Sequence, residues 1–417
     1  MNKKIKYLLL PATAMALLTS CKMSDQTQKS DSFSQTKEVE TLSLSESQRA
    51  FIQKNNDFAL NLFRQTSKFD SKVISPISVS FLMGILANGA DENTYQEILK
   101  TLGAENYSVD DLNQTNRLLI EKSGLLDPAT KLNIANYIAV NNTFKLKGDF
   151  IKNVEHFYNA QTESMNFASP QTLKRINSWC KKQTDNMIPK IIDSVDPNAV
   201  SYLMNAIYFN GAWSDKFDKK ETHEENFRGY TRNIQRVEMM HRNDKYRYAS
   251  NDAYAAVEIP YGNGAYTMTV LLPNTDKSTE DILKDINAKT LTDLSNNMED
   301  CIVDLKLPKF CTETDLTLND IIAKLGAPSM FLAGSANFKK FSDGNFFISK
   351  MFQKAKIEVS EEGTKAAAVT AAVMVAMSLQ PVEPRRVEFH ANRPFVYFIR
   401  ESNSGAIFFM GQYSGVE

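Results

Sequence analysis

Residues 361–372 read Glu-Glu-Gly-Thr-Lys-Ala-Ala-Ala-Val-Thr-Ala-Ala, and they constrain this chain more than any other stretch. Three consecutive alanines favour helix, because alanine has the highest helix propensity. Val369, Thr370, Val373 and Val375 favour extended backbone, because branching at Cβ restricts the side chain in a helix. At strand period, Thr364, Ala366, Ala368, Thr370 and Ala372 fall on one face, which is uniformly small. A segment that reads equally as helix and strand is suited to changing state.

Composition bounds the rest of the chain. The chain has 417 residues, of which 42% are hydrophobic, enough for a large core. The net charge of −1 argues against a nucleic-acid partner, which selects a basic excess. Four histidines and four cysteines give a metal cluster little material. Cys180, Cys301 and Cys311 are an odd set in the folded part, and they read as buried free thiols.

The N-terminus reads as a targeting segment. Lys3, Lys4 and Lys6 precede an apolar run, residues 7–19, that is too short to span a bilayer. Leu18-Thr19-Ser20-Cys21 resembles a bacterial lipobox, which predicts cleavage after residue 20 and lipidation of Cys21. The alternative is a secretory signal with an incidental cysteine. The lipid reading predicts a chain anchored to the bacterial envelope without spanning the membrane. Residues 21–47 are rich in Ser, Thr, Gln, Asp and Lys and predict a flexible tether. The domain then runs over 48–417.

Within it, Phe51, Phe58, Ala59, Leu62 and Phe63 mark an amphipathic first helix. Residues 72–74 read as a short strand. Ser75-Pro76 is a helix start, with Ser as N-cap, and residues 77–90 are apolar nearly all round, which predicts a buried helix. A helix over 91–102 closes at Gly103. Strands are predicted over 131–144, 199–213, within 239–273 and over 301–308. Helices are predicted over 149–159, 170–186, 279–298 and 316–325. Residues 347–359 alternate between an apolar face, including Met351, Gln353, Ala355, Ile357 and Val359, and a charged face. Residues 395–400 and 406–412 form a hairpin around Asn403-Ser404-Gly405. With no internal repeat and no linker, the order predicts one large α+β domain.

From about residue 51 onward the chain resembles the serpins. The motifs, in order, are Asn56-Asp57-Phe58-Ala59, Ile74-Ser75-Pro76-Ile77-Ser78, Gly89-Ala90 with Thr94, and Ile176-Asn177-Ser178-Trp179 with Ile188. Residues 203–213 and 305–310, Glu361 to Ala368, Arg393-Pro394-Phe395 and Phe408-Phe409-Met410-Gly411 complete the series. The resemblance implies an α+β fold of about nine helices and three sheets, with a five-stranded sheet A and an exposed reactive centre loop, about residues 361–384. It implies a monomer that needs no cofactor or metal and has no catalytic residues. It also implies a suicide mechanism, in which a serine protease cleaves the loop, becomes acyl-linked, and is dragged across as the loop enters sheet A.

Carried over residue by residue, the hinge is Glu361, Gly363, Thr364, Ala366, Ala367, Ala368 and Thr370. The seventeenth residue from Glu361 is Met377, which makes Met377–Ser378 the reactive bond and suits elastase-like, chymotrypsin-like or subtilisin-like proteases. Val375 and Ala376 leave room for a shift of one or two residues. Arg385 and Arg386 would suit trypsin-like enzymes, but they lie beyond Pro381 and Pro384. Where many serpins carry a histidine, this chain has Gln353, whose amide is expected to bond Ser75 and Asn205. Trp213 matches the tryptophan where the loop first enters. Lys365 departs from the family's usual Glu, and nothing in the sequence explains it. The helix near 110–122 carries only Arg117 and Lys122 as basic residues, which predicts no heparin activation.

The rival readings are a non-inhibitory serpin-fold binding protein on the bacterial envelope, a lipoprotein hydrolase and a solute-binding lipoprotein. No Gly-x-Ser-x-Gly elbow occurs, and His156, His223, His241 and His390 have no catalytic context. The alanine hinge has no purpose in a solute-binding protein.

Overall fold

The computed structural model describes residues 41–66, 69–230, 233–364 and 384–415. The expectations placed on residues 1–40, on Ala366, Ala367, Ala368 and Thr370, and on Met377–Ser378 lie outside the described residues. Residues 39–417 form one compact unit.

Nine α-helices occur among the described residues: α1 (Glu46–Arg64), α2 (Pro76–Gly89), α3 (Glu92–Leu102), α4 (Val109–Ser123), α5 (Gly148–Tyr158), α6 (Pro170–Gln183), α7 (Thr279–Asp285), α8 (Ala288–Asn296) and α9 (Asn319–Leu325). The strands are β1 (Lys72–Ile74), β2 (Thr130–Asn141), β3 (Ala160–Met165), β4 (Ser201–Ala212), β5 (His223–Arg228), β6 (Ile234–Ser250), β7 (Tyr254–Tyr261) and β8 (Tyr266–Pro273). They continue with β9 (Glu299–Pro308), β10 (Phe310–Thr317), β11 (Lys350–Ser360), β12 (Gly363–Thr364), β13 (Arg386–His390), β14 (Phe395–Glu401) and β15 (Ile407–Tyr413).

One sheet has the order β10-β11-β12-β4-β2-β3. Five of its strands are long, as the resemblance implies, and the sixth is the two-residue β12. The other strands run β1-β15-β14-β8-β7-β6-β9-β13, with β5 on β6. The two smaller sheets expected here are joined. The 17-residue β6 pairs with β5 and β9 along most of its length and passes to β7 at its end.

Every residue of α2 is buried, as its apolar circumference predicts. It is the central helix, in contact with β4 and β15. Strand β4 is buried at nearly every position because both faces are covered. Leu203, Ile207 and Phe209 face the main core, and Tyr202, Met204 and Ala206 face a second cluster under α6. There Trp179 of α6 stacks on Tyr137 of β2, with ring centroids 4.8 Å apart.

Several elements differ from the sequence reading. The 279–298 helix is two helices, because Asn287 caps a new one through a reciprocal bond with Thr290. β11 begins at Lys350, since Ile348 is buried out of phase with the alternation. Strand β10 was not anticipated. The folded body also begins before residue 48: Leu42 is only 1% exposed, and Ser45 caps α1 with Gln48 as its reciprocal partner. Cys180 and Cys301 are buried thiols, but Cys311 is exposed, because β10 turns it away from the core. Among the described residues, no helix is long and apolar enough to cross a membrane, and no cluster of His, Cys, Asp and Glu is arranged to hold a metal.

Candidate functional site: the hinge, the breach and the shutter

At its end β11 turns sharply at Glu361–Glu362 and re-enters the sheet as β12. Gly363 and Thr364 lie between β11 and β4, antiparallel to both. Thr364 pairs with Val359 on one side and Gly211 on the other. Gly363 has φ +137°, and a Cβ there would lie 2.2 Å from the Gly211 carbonyl oxygen. Only glycine fits this turn.

Both glutamates hold the turn from outside. The Glu361 carboxylate accepts from the Thr222 hydroxyl at 3.0 Å and lies 3.3 Å from Lys309. Burial works against its charge, but the backbone N–H, Thr222 and Lys309 more than offset this and hold its carboxyl below the usual range. Glu362 pairs with Lys216 at 2.7 Å and Lys219 at 3.3 Å, and these hydrogen bonds likewise lower its carboxyl. Sequence reasoning did not find Thr222, Lys216, Lys219 or Lys309 as partners. The only available signal was that Lys309 lies within one family motif and Lys216 follows Trp213 by three residues.

Above the gap, Trp213 stacks on Tyr261 with centroids 4.4 Å apart, and its indole N–H donates to the Ser360 carbonyl at 2.9 Å. The Tyr261 and Thr364 hydroxyls are 2.7 Å apart. Thr364 is 1% exposed, so its side chain already lies on the core face. Trp213 stands at the point where the chain first enters the sheet.

Beyond β12, β11 and β4 pair directly only over Lys350–Lys354 and Tyr202–Ala206. Gln353 and Asn205 are opposite each other near the upper end of that ladder. The predicted Gln353–Asn205 bond is absent. Gln353, 1% exposed, spends its amide on the backbone of Ser75 instead: its Oε1 accepts from the Ser75 N–H at 2.9 Å, and its Nε2 donates to the Ser75 carbonyl at 2.7 Å. Those backbone groups, at the buried start of α2, need partners more than a side chain does. Asn205 donates to Asn136 at 2.9 Å, and its Oδ1 is buried without a partner among the described residues. Ser75 is the N-cap of α2, as expected, but its hydroxyl makes no capping bond to the helix. That hydroxyl donates to the Phe408 carbonyl at 2.7 Å and lies 2.9 Å from Ser78 Oγ, fastening the helix start to β15.

Gln353→Leu keeps the volume but strands two buried backbone groups. It is expected to cost about 2–4 kcal/mol, read as a lower midpoint in urea unfolding of the uncleaved protein. A loss below about 0.5 kcal/mol would show that the pair is not needed.

The trypsin-like alternative also meets the structure here. The Arg385 carbonyl accepts from the Ile302 N–H at 2.9 Å, and Arg386 opens β13 opposite Ile302. That peptide bond belongs to a sheet ladder. On α4, Arg117 is engaged by Glu121 at 2.7 Å and His156 at 2.6 Å.

A protein-family model described as Serpin (serine protease inhibitor) matches residues 53–415. Human Serpin B3 is 33% identical over 386 residues, covering 86% of this chain and 98% of that protein. Human leukocyte elastase inhibitor is 33% identical over 376 residues, with the same coverage. The native-state crystal structure of tengpin, a thermophilic serpin, superposes with a TM-score of 0.81 at 30% identity, covering 91% of this chain and 96% of that one. The chain belongs to the serpin family.

Proposed function

We propose that the protein inhibits serine proteases as a suicide substrate, by inserting its cleaved loop into the six-stranded sheet. The observation that carries this reading is the placement of Gly363 and Thr364 between β11 and β4. Continuing their register puts Ala366 between Ile357 and Phe209, and Ala368 between Ala355 and Ile207. Thr370 then falls between Gln353 and Asn205. All three follow Thr364 onto the core face, where only small side chains can pass under parting strands. Insertion past residue 368 must open the remaining β11–β4 ladder, starting with Lys354 and Ala206. Thr370 would then arrive beside the unpartnered Asn205 Oδ1, whose buried lone pair its hydroxyl can satisfy. This is a physical use for a threonine in the middle of an alanine run.

The reactive bond in this reading is Met377–Ser378, and the targets are elastase-like, chymotrypsin-like or subtilisin-like. The name of one relative, leukocyte elastase inhibitor, is in keeping with that choice. Lipidation of Cys21 would hold the inhibitor on the bacterial envelope, with residues 22–40 as its lead. The engagement of Arg117 by Glu121 and His156 favours activity without heparin.

Incubation with a panel of serine proteases tests the proposal. A denaturant-stable complex is expected with an elastase-like enzyme, together with a C-terminal fragment beginning at Ser378. Cleavage without a complex would support the alternative, a non-inhibitory binding protein on the envelope. A fragment beginning at Arg386 or Val387 would overturn the register.

A further inference from the structure

Away from the sheet, a pocket of about 230 Å³ opens between the end of α1, the start of β1 and α7. Phe63, Arg64, Thr66, Lys72, Glu280, Leu283 and Lys284 line it. Lys72 is the unusual member. It occupies the first position of a buried strand and is only 4% exposed. Its ammonium lies over the Phe63 ring, 4.3 Å from the centroid, and makes no hydrogen bond or ion pair among the described residues. A buried ammonium with no carboxylate in direct contact is costly, and a ring face together with the charge of Asp70 offsets only part of that cost.

We propose that this pocket binds a small carboxylate with an apolar tail, and that the Lys72 ammonium is its counter-charge. Phe63 and Leu283 supply the apolar wall. Arg64 is pinned, with its Nε donating to the Leu283 carbonyl at 2.6 Å and its Nη1 to Asn61 at 2.8 Å, so α1 and α7 are tied together and the pocket is preformed. The charged groups around the ammonium are Arg64 on α1, Asp70 just before β1, and Glu280 and Lys284 on α7. Burial lowers the Lys72 ammonium to about 8, with Asp70 opposing, so it remains mostly charged at neutral pH. A bound carboxylate would relieve that burial penalty directly. Inorganic phosphate offers charge but makes no use of the apolar wall, and a long-chain alcohol offers the reverse.

Titration of the full chain with sodium octanoate, followed by calorimetry, tests the site. Octanoate is expected to bind with one site per chain, with phosphate and octanol each at least about 10-fold weaker, the worth of one buried charge pair or one apolar contact set. Lys72→Met should lose at least about 10-fold in octanoate affinity, while Lys72→Arg keeps most of it. Because Lys72→Met removes an unpaired buried charge, its melting temperature should stay level or rise, which separates lost binding from lost fold. Equal octanoate affinity in Lys72→Met, or no octanoate binding by the wild type, would overturn the proposal.

Discussion

Under the proposed mechanism, Thr364→Arg is expected to turn the chain from an inhibitor into a substrate. Thr364 is 1% exposed, sits between β11 and β4, and lies 2.7 Å from the Tyr261 hydroxyl. Tyr261 is itself buried between Trp213 and Phe209. A guanidinium at this position would be buried against Tyr261 between two packed strands, and burying such a charge costs several kcal/mol. The uncleaved protein escapes that cost by leaving residue 364 outside the sheet, so its fold and its melting temperature change little. The cleaved loop has no such escape, because residue 364 must enter before any later residue can.

In the proposed mechanism, insertion competes with hydrolysis of the acyl bond. A barrier raised by about 4 kcal/mol slows insertion roughly 1,000-fold, and hydrolysis then wins. The number of inhibitor molecules consumed per protease is expected to climb from near one to more than about ten. The rate of loop cleavage should not change, because the reactive bond is untouched. Thr364→Ser, which keeps the hydroxyl near Tyr261, should still form complexes. Unchanged complex yield from Thr364→Arg, measured on denaturing gels against an elastase, would rule out insertion as the inhibitory step.

How much of this could be read in advance depended on whether the signal was local. The buried helix α2, the two-faced β4 and the alternating β11 were legible, because burial on both faces or on one writes a repeating pattern into the residues themselves. Strand β10 wrote no such pattern. Its inward positions run Phe310, Thr312, Thr314 and Leu316, and two threonines among them erase the contrast with the polar outer face. Strand β12 is two residues long and exists only because β11 and β4 stand apart to receive it. β13 lies at the end of its ladder, and from sequence its first residues were weighed only as protease bait.

The candidate site divides the same way. Alternation placed Gln353 on the buried face, and the structure puts it opposite Asn205. Which partner its amide chose was settled by the buried backbone groups at the start of α2, some 280 residues away in sequence. The lysines that hold Glu361 and Glu362 come from two separate connections, the one after β4 and the one between β9 and β10. No local rule could have assembled them.

Cleavage at the proposed reactive bond, Met377–Ser378, without any mutation should itself raise the melting temperature sharply. Strand β12 already supplies two residues of a new central strand. Its register continues without a break, since Thr364 pairs with Val359 and Gly211, and Gln353 pairs with Asn205 at the same offset between β11 and β4. A loop freed at its far end can therefore add about a dozen residues, each meeting a neighbour on both sides. Each inserted residue makes about two ladder bonds, through its N–H and its C=O, at roughly 1 kcal/mol net apiece, against roughly 1–2 kcal/mol per residue for ordering the backbone. Burial of the alanine and threonine face tips the balance. The net gain is on the order of 10 kcal/mol, comparable with the stability of a whole domain. Unfolding entropy of about 2 cal/mol/K per residue over roughly 370 residues converts that gain into a rise of about 13 °C. Scanning calorimetry of intact and loop-nicked protein measures it directly. A nicked protein that melts at or below the temperature of the intact one would mean that the loop is cut without entering the sheet. The chain would then keep the serpin fold without its spring, and the non-inhibitory binding role would be the reading left standing.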